Sequence, residues 1–82
     1  MAISDIAVDA LENIYITDIY GTLIQFSFDG EKVVFGGKWN LETPLFKVSV
    51  YIAADMLEII QVVAENSIIE IDLGDKKAEF IY

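Results

Sequence analysis

Cysteine, histidine and arginine are absent from this chain of 82 residues, and proline occurs once, at Pro44. Each absence removes a class of chemistry. Without cysteine there is no disulfide framework and no thiolate metal site, and nothing demands an oxidising compartment, so a cytoplasmic location is expected. The commonest general base, the best nucleophile and the usual oxyanion clamp are missing together. Carboxylates, five lysines, four tyrosines and four serines remain. A carboxylate pair can cleave a glycosidic bond, but no Asp or Glu stands in a sequence context that forms a pocket. The chain reads as a non-enzyme.

Long apolar runs are also lacking, because charges interrupt every stretch before it reaches the roughly 18 to 20 residues that span a bilayer. The opening MAISDIAVDALEN sets Asp5, Asp9 and Glu12 where a secretory leader needs basic residues, so none is expected. Positive charge is scarce: five lysines stand against fourteen acids, a net charge of −9. Between Lys47 and Lys76 lie Asp55, Glu58, Glu65, Glu70, Asp72 and Asp75 with no basic residue among them. Such a surface repels phosphate backbones and anionic membranes, so neither direct nucleic-acid binding nor membrane binding is expected. The same charge also serves solubility with no partner at all.

Hydrophobic residues make up 55% of the chain, enough to stock one core, and the length allows a single domain over residues 1–82. Ile3, Ile6, Ala7, Ala10, Leu11 and Ile14 recur at helical spacing behind Ser4 or Asp5 as N-cap, which predicts a short N-terminal helix over about 5–12. IYITDIY, rich in β-branched and aromatic residues, follows as a strand.

GTLIQFSFDGEKVVF, Gly21 to Phe35, reads as a β-hairpin turning at Asp29-Gly30. A two-residue type I′ turn there sets Phe28 opposite Glu31, Phe26 opposite Val33 and Ile24 opposite Phe35, with the apolar side half-buried. NSIIEIDLGDKKAEF, Asn66 to Phe80, repeats the pattern around Gly74-Asp75, setting Leu73 opposite Lys76, Ile71 opposite Ala78, Ile69 opposite Phe80, and Asp72 opposite Lys77. An offset of 45 residues relates Ile24 to Ile69, Lys32 to Lys77 and Phe35 to Phe80, and Asp9-Ala-Leu-Glu12 resembles Asp55-Met-Leu-Glu58. The expected architecture is therefore mainly β (α+β): an antiparallel meander sheet or partly open barrel from two α-β-β-β repeats, 5–37 and 54–82. A linker, 38–53, adds a strand in LFKVSVYI with Phe46, Val48, Val50 and Ile52 on one side. ADMLEIIQVVAEN suits either a helical turn followed by a strand or one longer helix.

Asp72 with Asp75, or Asp29 with Glu31, lacks the spacing of a Ca²⁺ loop, and no phosphate loop or dinucleotide fingerprint occurs, so neither metal nor cofactor is expected. Trp39, in the Gly-flanked loop GGKWNLETP, suits either an interface anchor or a plug at one end of the core. Tyr15, Tyr20 and Tyr51 are expected to face solvent in part. Glu70 stands opposite Glu79, a like-charge pair that costs stability, tolerable with a cationic partner or as a guard against edge aggregation.

The order strand, DG turn, strand, GGKWNL, then a second hairpin resembles that of small bacterial β-rich proteins. In size and charge the chain is also similar to acidic immunity proteins and to phage anti-defence inhibitors of the anti-CRISPR kind. That second likeness implies a non-catalytic inhibitor of a basic, nucleic-acid-handling protein. On such a reading Trp39, Asp55, Glu58, Glu65, Glu70, Asp72 and Asp75 are the partner-binding residues. The alternatives are a small-ligand-binding or sequestering module, with its site between the repeats, and a self-assembling structural β module or homodimer.

Overall fold

A computed structural model gives the architecture of the chain and describes residues 2–52, 58–73 and 77–81. Eight strands follow one another: β1 (Ile3–Val8), β2 (Ile14–Asp18), β3 (Thr22–Phe28), β4 (Val33–Asn40), β5 (Leu45–Ile52), β6 (Glu58–Ala64), β7 (Ile68–Asp72) and β8 (Lys77–Phe80). They form two four-stranded antiparallel meanders in chain order, β1-β2-β3-β4 and β5-β6-β7-β8. The mainly β expectation holds as a meander; there is no closed barrel, and no helix occurs among the described residues. In particular, none there is long and apolar enough to cross a membrane.

The N-terminal helix expected over 5–12 is replaced by β1 and a turn. Eight residues are too few to hold a helix without strong support. Pairing with β2 supplies Ile6↔Ile16, Ala7↔Tyr15 and Val8↔Ile14 instead. Asp9 then stops the strand: its Oδ1 accepts from the N–H groups of Leu11 (2.8 Å) and Asn13 (2.9 Å), and Glu12 adopts φ 65°. Each sheet thus has four strands where α-β-β-β was expected, and the segment read as a linker strand opens the second sheet as β5. Of the second expected helical turn, Asp55 to Leu57 lie outside the described residues. Glu58 opens strand β6, so one longer helix over 54–66 is not formed.

The second hairpin has the register its sequence predicts, Ile69↔Phe80, Ile71↔Ala78 and Asp72↔Lys77. The first does not. Phe26 faces Phe35 and Phe28 faces Val33, because the loop takes four residues rather than two. Asp29 closes it by accepting from the N–H groups of Glu31 (2.9 Å) and Lys32 (3.0 Å), with Gly30 at φ 100°. A register shift between Gln25 and Phe26 leaves Gly36 as a bulge residue.

One hydrophobic cluster takes side chains from both sheets: Tyr15 and Leu23 from the first, Val48, Ile60, Val62, Ile69 and Ile71 from the second, with Leu41 and Leu45 at the connection. A fully buried Leu or Ile of this kind contributes about 1.5–3 kcal/mol. Tyr15 is completely buried, against the expectation of partial exposure, whereas Tyr20 and Tyr51 are exposed. Trp39 lies in strand β4 rather than in a loop, half-buried against the core. The plug reading fits this placement.

Strand alternation fixes what the opposite faces carry. In the second sheet Ser49, Gln61, Glu70 and Glu79 form one outward row, and Tyr51, Ile59, Asp72 and Lys77 the next. In the first, Ile6, Ile16 and Ile24 form one row and Val8, Ile14, Phe26 and Phe35 the next. The apolar side of the first hairpin, expected to be half-buried on the core, therefore points away from it. Tyr15, Leu23 and Trp39 occupy the inner side instead.

Candidate functional site

Two places concentrate charge with shape. The first is the outer face of the second sheet, where Ile59, Glu70, Asp72, Lys77 and Glu79 line a shallow cleft of about 230 Å³. Cross-strand pairing brings Glu70 directly opposite Glu79 and Asp72 opposite Lys77. The Tyr51 hydroxyl donates to the Glu70 carboxylate from β5. Burial and the neighbouring Glu70 charge accompany that bond, and together they raise the Tyr51 phenol above its ordinary value, the hydrogen bond most of all. Tyr51 therefore stays a neutral donor, and Glu70 is oriented while Glu79 stays exposed beside it. The cleft offers carboxylates to a cation.

The second place lies where the sheets meet. Asp9, at the end of β1, and Glu58, at the start of β6, share a hydrogen bond, and Tyr15 and Asn13 also donate to Asp9. Burial and the adjoining Asp9 carboxylate push Glu58 up to about 7. Burial also acts to raise Asp9, but bonds from Glu58, Asn13 and the backbone outweigh it and leave the group below its ordinary value. Desolvation and the two carboxyls hold the Tyr15 phenol well above its usual range, with Gln25 Nε2 donating to its oxygen at 3.3 Å. Glu58 is thus the proton donor and Asp9 the acceptor. Asp9 Oδ1 takes two backbone N–H groups and Oδ2 takes Asn13 Nδ2 at 2.8 Å and the Tyr15 hydroxyl at 3.3 Å. With the Glu58 proton these make five donors on a carboxylate of roughly four lone-pair sites, so some are shared and none is left with which to activate a water. The pair is a joint between sheets, at the edge of a cleft of about 360 Å³ walled by Val8, Leu11, Val50 and Ile52.

Of the residues expected to bind a partner, Glu70 and Asp72 come together, and Glu79 joins them. Glu58 faces inward, Glu65 sits in the β6–β7 turn at the far end of β6, and Trp39 belongs to the other sheet. Asp55 and Asp75 lie outside the described residues. Sequence reasoning overlooked Asp9 and Tyr15 as partners of Glu58. Read as helix, Asp9 had no reason to meet β6; read as the end of a strand paired with β2, it shares Tyr15's face. Among the described residues no group of three or more acids is placed to hold a metal ion. Comparison with protein-family models, with curated proteins and with solved structures finds no match.

Proposed function

We propose that this chain is a non-catalytic binding protein whose acidic outer face docks on a basic surface of a nucleic-acid-handling protein and blocks it. The observation that carries this reading is Glu70 facing Glu79 across β7 and β8 beside Asp72, above a cleft sized for a side chain. Like charges directly opposite destabilise a free sheet. A lysine or arginine inserted between them removes that repulsion, so part of the binding free energy is stored in the unbound protein. Complementary charge also speeds encounter and excludes wrong partners. The docking set is Glu70, Asp72 and Glu79 with Tyr51 as the aromatic contact, narrower than the acids of the sequence suggest. Affinity capture with the wild type and with the double variant Glu70→Gln/Glu79→Gln tests it. The reading expects a basic, nucleic-acid-handling protein held by the wild type, released as salt rises and lost from the variant. Equal retention by both overturns it.

A second reading, a small-ligand-binding or sequestering module, is favoured by the apolar cleft between the sheets with Glu58 at its edge. The fitting ligand has an apolar body and an amine. Amide shifts of Val50, Ile52 and Leu11 on titration with an alkylamine support it, and an unperturbed spectrum removes it.

A further inference from the structure

The first sheet buries the wrong side for a lone molecule. Its two outward rows hold seven apolar side chains, extended at the hairpin tip by Phe28 and Val33. The edge strands of this face are open to water, with Ile6 53% exposed, Val8 62%, Val33 57% and Phe35 61%, while Ile14, Ile16, Ile24 and Phe26 between them are half-buried. Lys38, paired with Ile24, is the one charge in the rows, and no carboxylate stands in them although the chain carries −9. Phe26 and Phe35 meet edge to face with centroids 6.1 Å apart, which fixes the relief of the patch without covering it.

We propose that this face is covered by the same face of a second copy of the chain, as an isologous two-sheet interface. Three considerations select that occupant. Four strands at about 4.8 Å spacing and a seven-residue β3 at about 3.4 Å per residue give roughly 450 Å² in projection. Side-chain relief takes the accessible area toward the roughly 600 Å² per partner of the smaller specific interfaces, the upper end of what monomers leave uncovered. Charge points the same way. A basic surface finds no acid on this face to bind, and an acidic one meets Lys38 alone, so the matching surface is apolar and nearly uncharged. Finally, the acidic row of Glu70 and Glu79 belongs to the outer side of the other sheet. Two chains that meet through the first sheets keep those carboxylates on the far sides of the dimer, where repulsion is weakest. Sheet-on-sheet packing at about 10 Å lets the outward rows interdigitate like the layers of a sandwich. The contact is a face rather than a strand edge, and it is independent of the acidic docking surface.

Sedimentation velocity of the whole chain from about 1 to roughly 500 µM, at low and high salt, tests this assignment. The expected result is a concentration-dependent dimer that tightens as salt screens the net charge. Phe35→Asp and Ile6→Asp, on opposite edge strands of the sheet, are each expected to weaken it at least about 10-fold with an unchanged circular dichroism spectrum. Should Phe35→Asp fail to fold, Val33→Asp and Ile6→Lys read the same face. A wild type that stays monomeric throughout overturns the proposal, as does a dimer equally strong in folded variants, which would use another surface. A monomer that instead cosediments with uncharged phosphatidylcholine vesicles assigns the face to lipid and overturns it too.

Discussion

The Asp5 carboxylate in β1 accepts a 2.9 Å hydrogen bond from the backbone N–H of Val48 in β5, 43 residues away in the chain. β5 pairs with β6 on one side only, so this N–H sits on its open edge. Asp5 satisfies it and blocks that edge against pairing with another chain, while fastening the two sheets together. The Val48 bond, more than the attraction of Lys47, holds Asp5 below its ordinary value. Asp5→Ala should lower stability by about 1–2 kcal/mol, the usual range for a hydrogen bond to a charged, partly exposed group. Asp5→Asn, which keeps an acceptor, should lose less. Urea midpoints of the three proteins at neutral pH check the order; equal midpoints would show that the bond contributes nothing.

The Asp9–Glu58 pair gives stability a pH dependence of defined sign. Glu58 is raised from 4.5 to about 7, so between these values the folded state holds a proton the unfolded chain has lost. Stability should therefore fall as pH rises through that window and level off above it. Asp9 is depressed below 3.8 and works the other way: its contribution is present above that value and disappears as pH falls through the folded pKa. The optimum should lie in mildly acidic solution. Glu58→Gln keeps a donor for Asp9 but cannot ionise, so it should abolish the fall between pH 4.5 and 7 and keep the acid limb. Denaturation midpoints across pH measure both, and a wild-type curve that is flat over the window would contradict the assignment.

Much of the fold is legible from alternation and turn chemistry, and the failures have identifiable causes. The register of β7 against β8 could be read from the sequence because three of its four pairs agree, Ile69 with Phe80, Ile71 with Ala78 and Asp72 with Lys77, and outweigh the like charges of Glu70 and Glu79. The hairpin at Asp29 slipped because the Asp29 side chain competes with the two-residue turn and stabilises a longer loop. β1 read as a helix because Ile3, Ile6 and Ala7 fit either period over so short a span, and only pairing with β2 decides. Which side of the first sheet is inside was not legible, since Ile14 and Ile16 offer more apolar surface locally than Tyr15 and Thr17. The inward choice depends on Tyr15 and Leu23 packing against Ile60, Ile69 and Ile71 of the second sheet, contacts between distant segments that no local window contains. Likewise Glu58 and Glu70 are close in sequence, yet they lie on opposite faces of one sheet.

Gly21 and Gly30 share a left-handed backbone, φ 97° and 100°, in different surroundings. A Cβ at Gly21 would stand 2.9 Å from the Thr43 backbone nitrogen, whereas at Gly30 nothing lies within 4 Å. Gly30→Ala should cost about 1 kcal/mol, the conformational penalty alone. Gly21→Ala should cost more, about 2–3 kcal/mol, because the connection from β4 to β5 must also shift. Thermal unfolding of the two variants separates strain from collision, and equal losses would mean that the connection yields freely.

Glu79→Gln isolates the repulsion on which the proposed docking face depends. Glu79 is exposed and faces Glu70 across the ladder, so neutralising it should stabilise the unbound protein by about 0.2–1 kcal/mol at low salt. Added salt screens the same repulsion in the wild type, so the gain should shrink as ionic strength rises. Glu70→Gln is a less clean probe, because it also weakens the bond donated by Tyr51. A side chain that destabilises the free fold yet strengthens a complex is a mark of an interface, whereas one that merely solubilises the surface changes stability without changing capture. Glu79→Gln should therefore raise the urea midpoint and reduce retention of the basic partner together. A variant that is more stable and binds undiminished would separate the charge pair from recognition and leave it as protection of the β8 edge.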